Sequence, residues 1–582
     1  MKTLAPVDVV IVGAGWGGMI MAKEIATRTS LSVLLLERGG PFRGYGAYAM
    51  EMDEIDTEIR GRYLANAANG VFTSRSSHRD RANPVRQFGG HHPGTGLGGC
   101  SDHWGGTSPR WLPEAFTLAT HLKERYGAGK LPPELTIQDW GISWQDIEPC
   151  YSTAERMMGT GGKAGNLGGK KIEGGNIFEG PRSQEFPNPP HPMTYMPLLF
   201  AKTAKELGYH PFPMPSSTLS QPYTTPDGVP GAPCMYCGRC SLYGCMVGAK
   251  ASPNSRLLPL LQQKQNMQIR TGCQVRRVVH RDGKAVGVSY TDESGKEFMQ
   301  PAEAVVLSAW ALNNARLLML SGIGQQYDPV SGKGTLGKNL TYTLQQNLEF
   351  FVDKPLNNFM GSGGLGMAIG DFAGDAPEED VAQGALRGGL IFAYTQGSGP
   401  IDSFGKVPRD KVKSNWGSQW KKAVLAHQDR ATGFLCSGNN FASRGNYLDL
   451  DPTYTDKWGD PLLRVTTNWT EADKKQAAFL ARREVVIAKA MGATDIHVPI
   501  AVNRAPGTGR EHTQGGAIMG SSPETSVVNR YLQHWQVPNL WVVGASAFPQ
   551  TDSQPGLTVA AISYWAANAF VDRYVKQPGA LV

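Results

Sequence analysis

The sequence predicts an α/β (α+β) chain in which a parallel sheet is interleaved with a second domain built on an antiparallel sheet. Three features predict this. Residues 7–39 read strand, glycine turn, helix, strand. Short β-branched runs suited to buried strands recur at Ala304–Ser308 and, near the far end of the chain, at Leu540–Gly544. Between them, residues 341–500 hold strands such as Leu348–Val352 and a long amphipathic helix near Glu471–Met491.

The N-terminal elements follow a known physical order. Val7–Val12 is apolar along its length, as a strand covered on both faces requires. Gly13-Ala-Gly15-Trp-Gly-Gly18 follows directly, and Met19–Ala26 reads as a helix. Leu31–Leu36 is a second buried strand, ending at Glu37. In this context Gly13 permits the tight turn, and Gly15 lets backbone approach a pyrophosphate at the helix N-terminus. Gly18 lets helix and strand pack closely, and Glu37 can accept hydrogen bonds from a ribose diol. The unit is therefore a Rossmann-like dinucleotide site; the alternative is a tight turn with no ligand.

Residues 40–90 are irregular and polar, and 116–230 are loop-rich. Residues 267–292 alternate like a hairpin turning at Arg281-Asp-Gly-Lys284. Asn313–Leu320 and Leu557–Val571 read as helices. A second glycine cluster, Gly94–Gly106, includes Gly98 and Gly99 and implies backbone pressed against something flat or charged.

Over 582 residues the hydrophobic content is 40% and the charged content 18%, the balance of a soluble globular protein. A net charge of +7 is mild for this length, and no dense basic run with interleaved aromatics occurs, which argues against nucleic-acid binding. No apolar run reaches the roughly 18 residues of a membrane span, and the N-terminus lacks a signal-peptide pattern.

Four of the 8 cysteines fall in one stretch: Cys234, Cys237, Cys240 and Cys245, spaced Cys-x2-Cys-x2-Cys-x4-Cys. A disulfide framework spreads its cysteines, whereas this packing reads as a nest for an iron–sulfur cluster. Zinc, disulfides or free thiols are the alternatives. Cys100, Cys150, Cys273 and Cys436 are dispersed and read as ordinary buried thiols.

Together these pieces resemble the glucose–methanol–choline (GMC) oxidoreductases. The resemblance rests on the Gly13–Gly18 turn with Glu37, the Gly94–Gly106 loop, Leu317–Gly324 and Gly337-Lys-Asn-Leu340. It rests also on His512 before Gly515-Gly516, and on Asn539–Pro549. It implies FAD as the dinucleotide, with Gly98, Gly99 and Ala545 also beside it. It implies an FAD domain from residues 1–115, 231–340 and 505–582, carrying the Cys loop 234–245. An insertion at 116–230 and a substrate domain at 341–504 complete the chain.

Within the family the Cys loop resembles that of the large FAD/iron–sulfur subunits of bacterial sugar and polyol dehydrogenases, such as gluconate 2-dehydrogenase, fructose dehydrogenase and glucoside 3-dehydrogenase. That resemblance implies a [3Fe–4S] or [4Fe–4S] cluster, a cytochrome c subunit and a small subunit carrying the export signal. It places the chain in the periplasm, at the membrane only through partners; the cytoplasm is the alternative. The subgroup's usual Cys-Cys-x5-Cys-x3-Cys pattern differs from this one, so the ligand set and cluster type stay open.

Alcohol oxidation needs a base and a hydride acceptor. The resemblance makes His512 the base. Gln554 stands where related enzymes place a second polar residue, and Asp552 is its rival; capping the last helix is the plain alternative for Gln554. His103, in Ser101-Asp-His103-Trp104, resembles the histidine that tethers FAD covalently in pyranose oxidases, although other relatives lack the bond. The implied substrate is a sugar, glycoside or polyol. The competing reading is an oxygen-using oxidase whose Cys loop is only structural.

Overall fold

Val9–Val12 are buried to the last side chain, which is why the run Val7–Val12 (β1) sits inside a sheet and not at its edge. The computed structural model describes residues 1–45, 72–85, 94–358, 366–394, 414–498 and 512–581, with 361, 364, 407–409 and 411–412. Much of the 40–90 stretch lies outside the described residues. After β1 come helix Trp16–Arg28 (α1) and strand Val33–Leu36 (β2). Helix Trp144–Met158 (α2) starts from a reciprocal capping box between Ser143 and Asp146. Next are strands Met267–Arg270 (β3), Gln274–Arg281 (β4), Lys284–Thr291 (β5) and Glu297–Leu307 (β6), then helix Ala311–Leu320 (α3).

The parallel order is β3-β2-β1-β6. The long β6 changes partners along its length: Ala302–Leu307 pairs with β1, while Glu297–Pro301 pairs antiparallel with β5, which hairpins into β4. The sequence reads 267–292 as one hairpin. The hairpin is β4–β5, turning through Asp282 and Gly283, whereas β3 belongs to the parallel sheet beside β2.

The second unit is antiparallel: Thr343–Phe351 (β7), Gly366–Ile369 (β8), Gly389–Tyr394 (β9) and Ala431–Asn439 (β10), ordered β7-β10-β9-β8. Tyr447–Thr455 (β11) and Pro461–Thr466 (β12) form a third sheet with Phe72–Arg75 and Asn83–Pro84. Helix Glu471–Ala490 (α4), capped reciprocally by Thr470 and Asp473, buries Phe479, Leu480 and Ile487 on Leu348, Phe434 and Cys436. The chain then returns to the first sheet. Leu540–Val542 (β13) pairs parallel with Val305–Leu307, and helix Gly556–Ala569 (α5) packs on α1 and α2.

The fold is thus mixed α/β, and the distant segments 7–36, 267–307 and 540–569 share one apolar core. No helix of the described residues is long and apolar enough to cross a membrane.

Candidate active site

A cavity of about 500 Å³ opens between the parallel sheet and the antiparallel one. At one end the Gly13–Gly18 turn does what its spacing requires. Gly13 has φ +100°, and a Cβ there would meet the Ser308 carbonyl at 2.3 Å; a Cβ on Gly18 would meet the Gly13 carbonyl at 1.9 Å. Gly15 faces open space in the cavity. The second glycine loop docks on the first: the Gly98 N–H donates to the Ala14 carbonyl (3.0 Å), and Gly99 lines the cavity.

Glu37 lines this end and is 7% exposed. Its carboxylate also accepts from the amides of Ala14 (3.0 Å), Gly39 (2.8 Å) and Gly96 (3.4 Å), so it clasps both glycine loops. Among the described residues, three α-helices start at the cavity: α1 after Gly15, α3 after Trp310 and α5 after Pro555. None has a side-chain cap, so their N–H groups and dipoles are available to an anion. Trp310 adopts φ +76°, a left-handed conformation that a bulky residue holds only under constraint.

The other end gathers the predicted chemistry. His512, Gln554, His103 and Ala545 all line the cavity there, joined by Gln345, Phe392 and Leu435 from the antiparallel sheet. His512 sits at φ +62° at the head of a well-tied segment. Gln514 exchanges both backbone hydrogen bonds with Thr341, and the Gly515 N–H donates to the Ala545 carbonyl at 2.9 Å. Gln554 does not cap α5. Its backbone carbonyl accepts from the Trp111 indole (3.1 Å), and its side-chain Nε2 donates to the Ser437 hydroxyl (3.4 Å). Asp552 is engaged elsewhere, with the Leu112 amide (3.3 Å) and the buried Arg387 (3.4 Å). Cys100 departs from the buried-thiol reading: it is surface-exposed, and the surface it faces is this cavity.

The Cys loop abuts the same wall. Ser241 and Leu242 line the cavity, and the Leu242 N–H donates to the His103 carbonyl at 2.6 Å. Lys250, 2% exposed, donates from its ammonium to the carbonyls of Trp104 (2.7 Å), Cys240 (2.6 Å) and Tyr243 (2.7 Å). One buried cation thus ties the loop to the His103–Trp104 segment. Burial pushes that ammonium down from its ordinary value, opposed by Cys240, Cys245 and Asp102. At its other side the loop reaches solvent, where Met235 is 54% exposed.

None of the four loop cysteines forms a disulfide. The Tyr236 amide donates to the Cys234 sulfur (3.3 Å), and the Lys250 amide to the Cys245 sulfur (3.5 Å). The Cys234 thiol is pushed up to about 12, first by burial and then by the charges of Cys240, Cys245 and Cys237, so the sulfurs lie within electrostatic reach of one another. Among the described residues no three His, Cys, Asp or Glu side chains are gathered as around a metal ion. Sulfurs on one loop with N–H···S bonds and an adjacent buried cation are the kind of donor set that iron–sulfur chemistry uses.

The fold and the glycine turn define a class, and the chain belongs to the GMC oxidoreductase family, whose N- and C-terminal patterns match residues 221–345 and 442–563. It is an FAD-dependent oxidoreductase of that family. It is 41% identical to the gluconate 2-dehydrogenase flavoprotein of Pantoea cypripedii, over 100% of this chain and 96% of that protein. It is 25% identical to the fructose dehydrogenase large subunit of Gluconobacter japonicus, over 97% of this chain and 98% of that protein. In fold it is similar to the pyridoxine 4-oxidase of Mesorbium loti, with a TM-score of 0.63, 16% identity, and 97% and 99% of the two chains covered.

FAD fits the cavity on the structure's own terms. A glycine at the turn faces open space, the uncapped N-terminus of α1 suits a pyrophosphate, and Glu37 suits a ribose. Gly18 and Gly98 lie behind this wall and shape it. Sequence reasoning missed Trp310, Gln345, Phe392 and Lys250, which carry no motif and reach the site only through long-range strand pairing and packing.

Proposed function

We propose that this chain is the flavoprotein of an electron-transferring dehydrogenase that oxidises a secondary or anomeric alcohol of a sugar, glycoside or polyol. The observation that carries the proposal is the Cys loop itself: it forms part of the flavin cavity wall at Leu242 and reaches solvent at Met235. A loop so placed suits electrons leaving one at a time. The 41% identity to a gluconate 2-dehydrogenase flavoprotein supports the substrate class.

Bound FAD supplies the hydride acceptor. His512 takes the hydroxyl proton, since an imidazole ordinarily titrates close to neutral pH. Gln554, steadied through Trp111 and Ser437, orients the substrate hydroxyl. Gln345 adds a second amide on the facing sheet, and Phe392 and Leu435 keep that side apolar and exclude water. Cys234, Cys237, Cys240 and Cys245 would hold a [3Fe–4S] or [4Fe–4S] cluster, which supplies one-electron transfer. The partners are a cytochrome c subunit and a small subunit bearing the export signal, which puts the complex at the periplasmic face of a membrane. Two relatives are named as a flavoprotein and a large subunit, which suits a multi-subunit assembly.

The second reading, an oxygen-using oxidase, draws on a 25% relative named paromamine 6′-oxidase, from Streptomyces fradiae, over 98% of this chain and 92% of that protein. Turnover of D-gluconate, D-fructose and polyols with ferricyanide, against peroxide release in air, separates the two. The dehydrogenase reading expects ferricyanide reduction, negligible peroxide and about three to four iron atoms per chain. Cys240→Ser is expected to lose most of that iron while keeping FAD. Stoichiometric peroxide from an iron-free protein would establish the oxidase.

A further inference from the structure

The Glu37 end of the cavity is covered by a piece of a different sheet. Its wall is the start of β4, where the Cys273 N–H donates to the Glu37 carbonyl at 2.8 Å. Over that wall lies the turn between β11 and β12, and Asp456, Trp458 and Asp460 of this turn line the cavity.

The turn is braced far beyond what a surface hairpin needs. The Asp460 carboxylate accepts from Arg276 Nε (2.7 Å) and from Arg277 Nη2 (2.6 Å). The Asp456 carboxylate accepts from Arg316 (2.8 Å), and that guanidinium also donates to the Pro461 carbonyl. Asp456 further accepts from the amides of Trp458 and Asp460, both at 3.0 Å, which closes the turn on itself. Arg276, Arg316, Asp456 and Asp460 are all largely buried. Loss of either partner of such a shielded ion pair leaves the other charge uncompensated, so the turn is held against the sheet. What they hold in place is an indole. Trp458 carries the Arg276 guanidinium 5.0 Å and the Lys457 ammonium 4.4 Å from its ring centre.

An indole with a guanidinium stacked over it, both lining the ribose end of a dinucleotide cavity, is a platform suited to a purine base. We propose that the Asp456–Asp460 turn is an adenine latch. Trp458 and Arg276 cover the base of FAD, and Arg277 and Arg316 hold the latch shut through Asp460 and Asp456. The inference rests on the FAD reading of the cavity and adds a determinant of cofactor retention outside the glycine turn.

The test is FAD release, followed by the rise of free-flavin fluorescence after dilution of the holoprotein. It is run in a His103→Ala background, where no covalent tether to that residue can form, with and without Trp458→Ala. Release is expected to quicken by about 5- to 150-fold, the range that loss of one base–aromatic stack gives. Trp458→Phe is expected to restore most of the retention. After exchange of FAD for FMN, which has no adenine, Trp458→Ala is expected to leave release unchanged. Unchanged FAD release, or equal acceleration for FAD and FMN, would overturn the latch while leaving the FAD reading intact. A wild-type protein that binds no FAD would overturn both.

Discussion

His512→Ala is expected to lower kcat/KM by about 10²- to 10⁴-fold, the usual contribution of a positioned general base, with FAD content unchanged. The expectation follows from how the residue is held. The Gln514–Thr341 pairing and the Gly515–Ala545 hydrogen bond fix the backbone that carries it, so the imidazole meets the cavity at a set point. Its left-handed backbone, φ +62°, complicates a simple alanine test. His512→Asn answers this, because asparagine tolerates that conformation and cannot act as a base at neutral pH. Stopped-flow flavin reduction across pH is the measurement. Both variants should slow reduction and lose the acidic limb of the pH profile. A variant that reduces flavin at the wild-type rate would remove His512 from the chemistry.

Glu155→Leu is expected to destabilise the fold by about 3–5 kcal/mol, the cost of leaving buried charge without its partner. Glu155 on α2 accepts from Arg110 (2.9 and 2.8 Å) and from Arg182 (3.1 and 2.6 Å), and both guanidiniums are at most 1% exposed. Burial raises the Glu155 carboxyl, but the charges of Arg110 and Arg182 outweigh it and hold the group below its ordinary value. A carboxyl depressed in the folded state contributes stability that is present above about pH 4.3 and is lost as pH falls through the folded value. Denaturant unfolding at neutral and acid pH reads both effects. By contrast, removing Glu303 from its exposed pair with Lys284 should leave the unfolding midpoint where it is. Arg110 adjoins Trp111, whose indole holds the Gln554 carbonyl, so loosening this network should also raise KM.

The parts of the molecule legible in the sequence are those with short-range logic. Residues 7–37 state their turn, helix and acid in order, because each glycine answers a local steric demand. The ends of α3, α4 and α5 fall within a few residues of the positions their periodicity predicts. The register of the long β6 is different: it pairs with Lys2–Thr3, β1, β5 and β13, and no local pattern announces a strand shared four ways. In the site, His512 and the Cys loop are conspicuous by type and spacing. Lys250 is not, since one lysine among many becomes notable only when three carbonyls converge on it. Glu37 shows the converse. Its position predicts a ribose contact, while its three amide partners, which lie on two separate loops, emerge only from the fold.

The central claim is that electrons collected at the flavin leave through the Cys loop. Its most direct test is an anaerobic reductive titration of the purified protein with dithionite, followed by visible absorbance. FAD alone takes up about two electrons per chain, and FAD with a one-electron cluster about three. The account predicts about three, with bleaching of broad thiolate–iron absorbance that is separable from the flavin bands and missing in Cys240→Ser. An uptake of about two electrons by a protein showing flavin bands alone would contradict it.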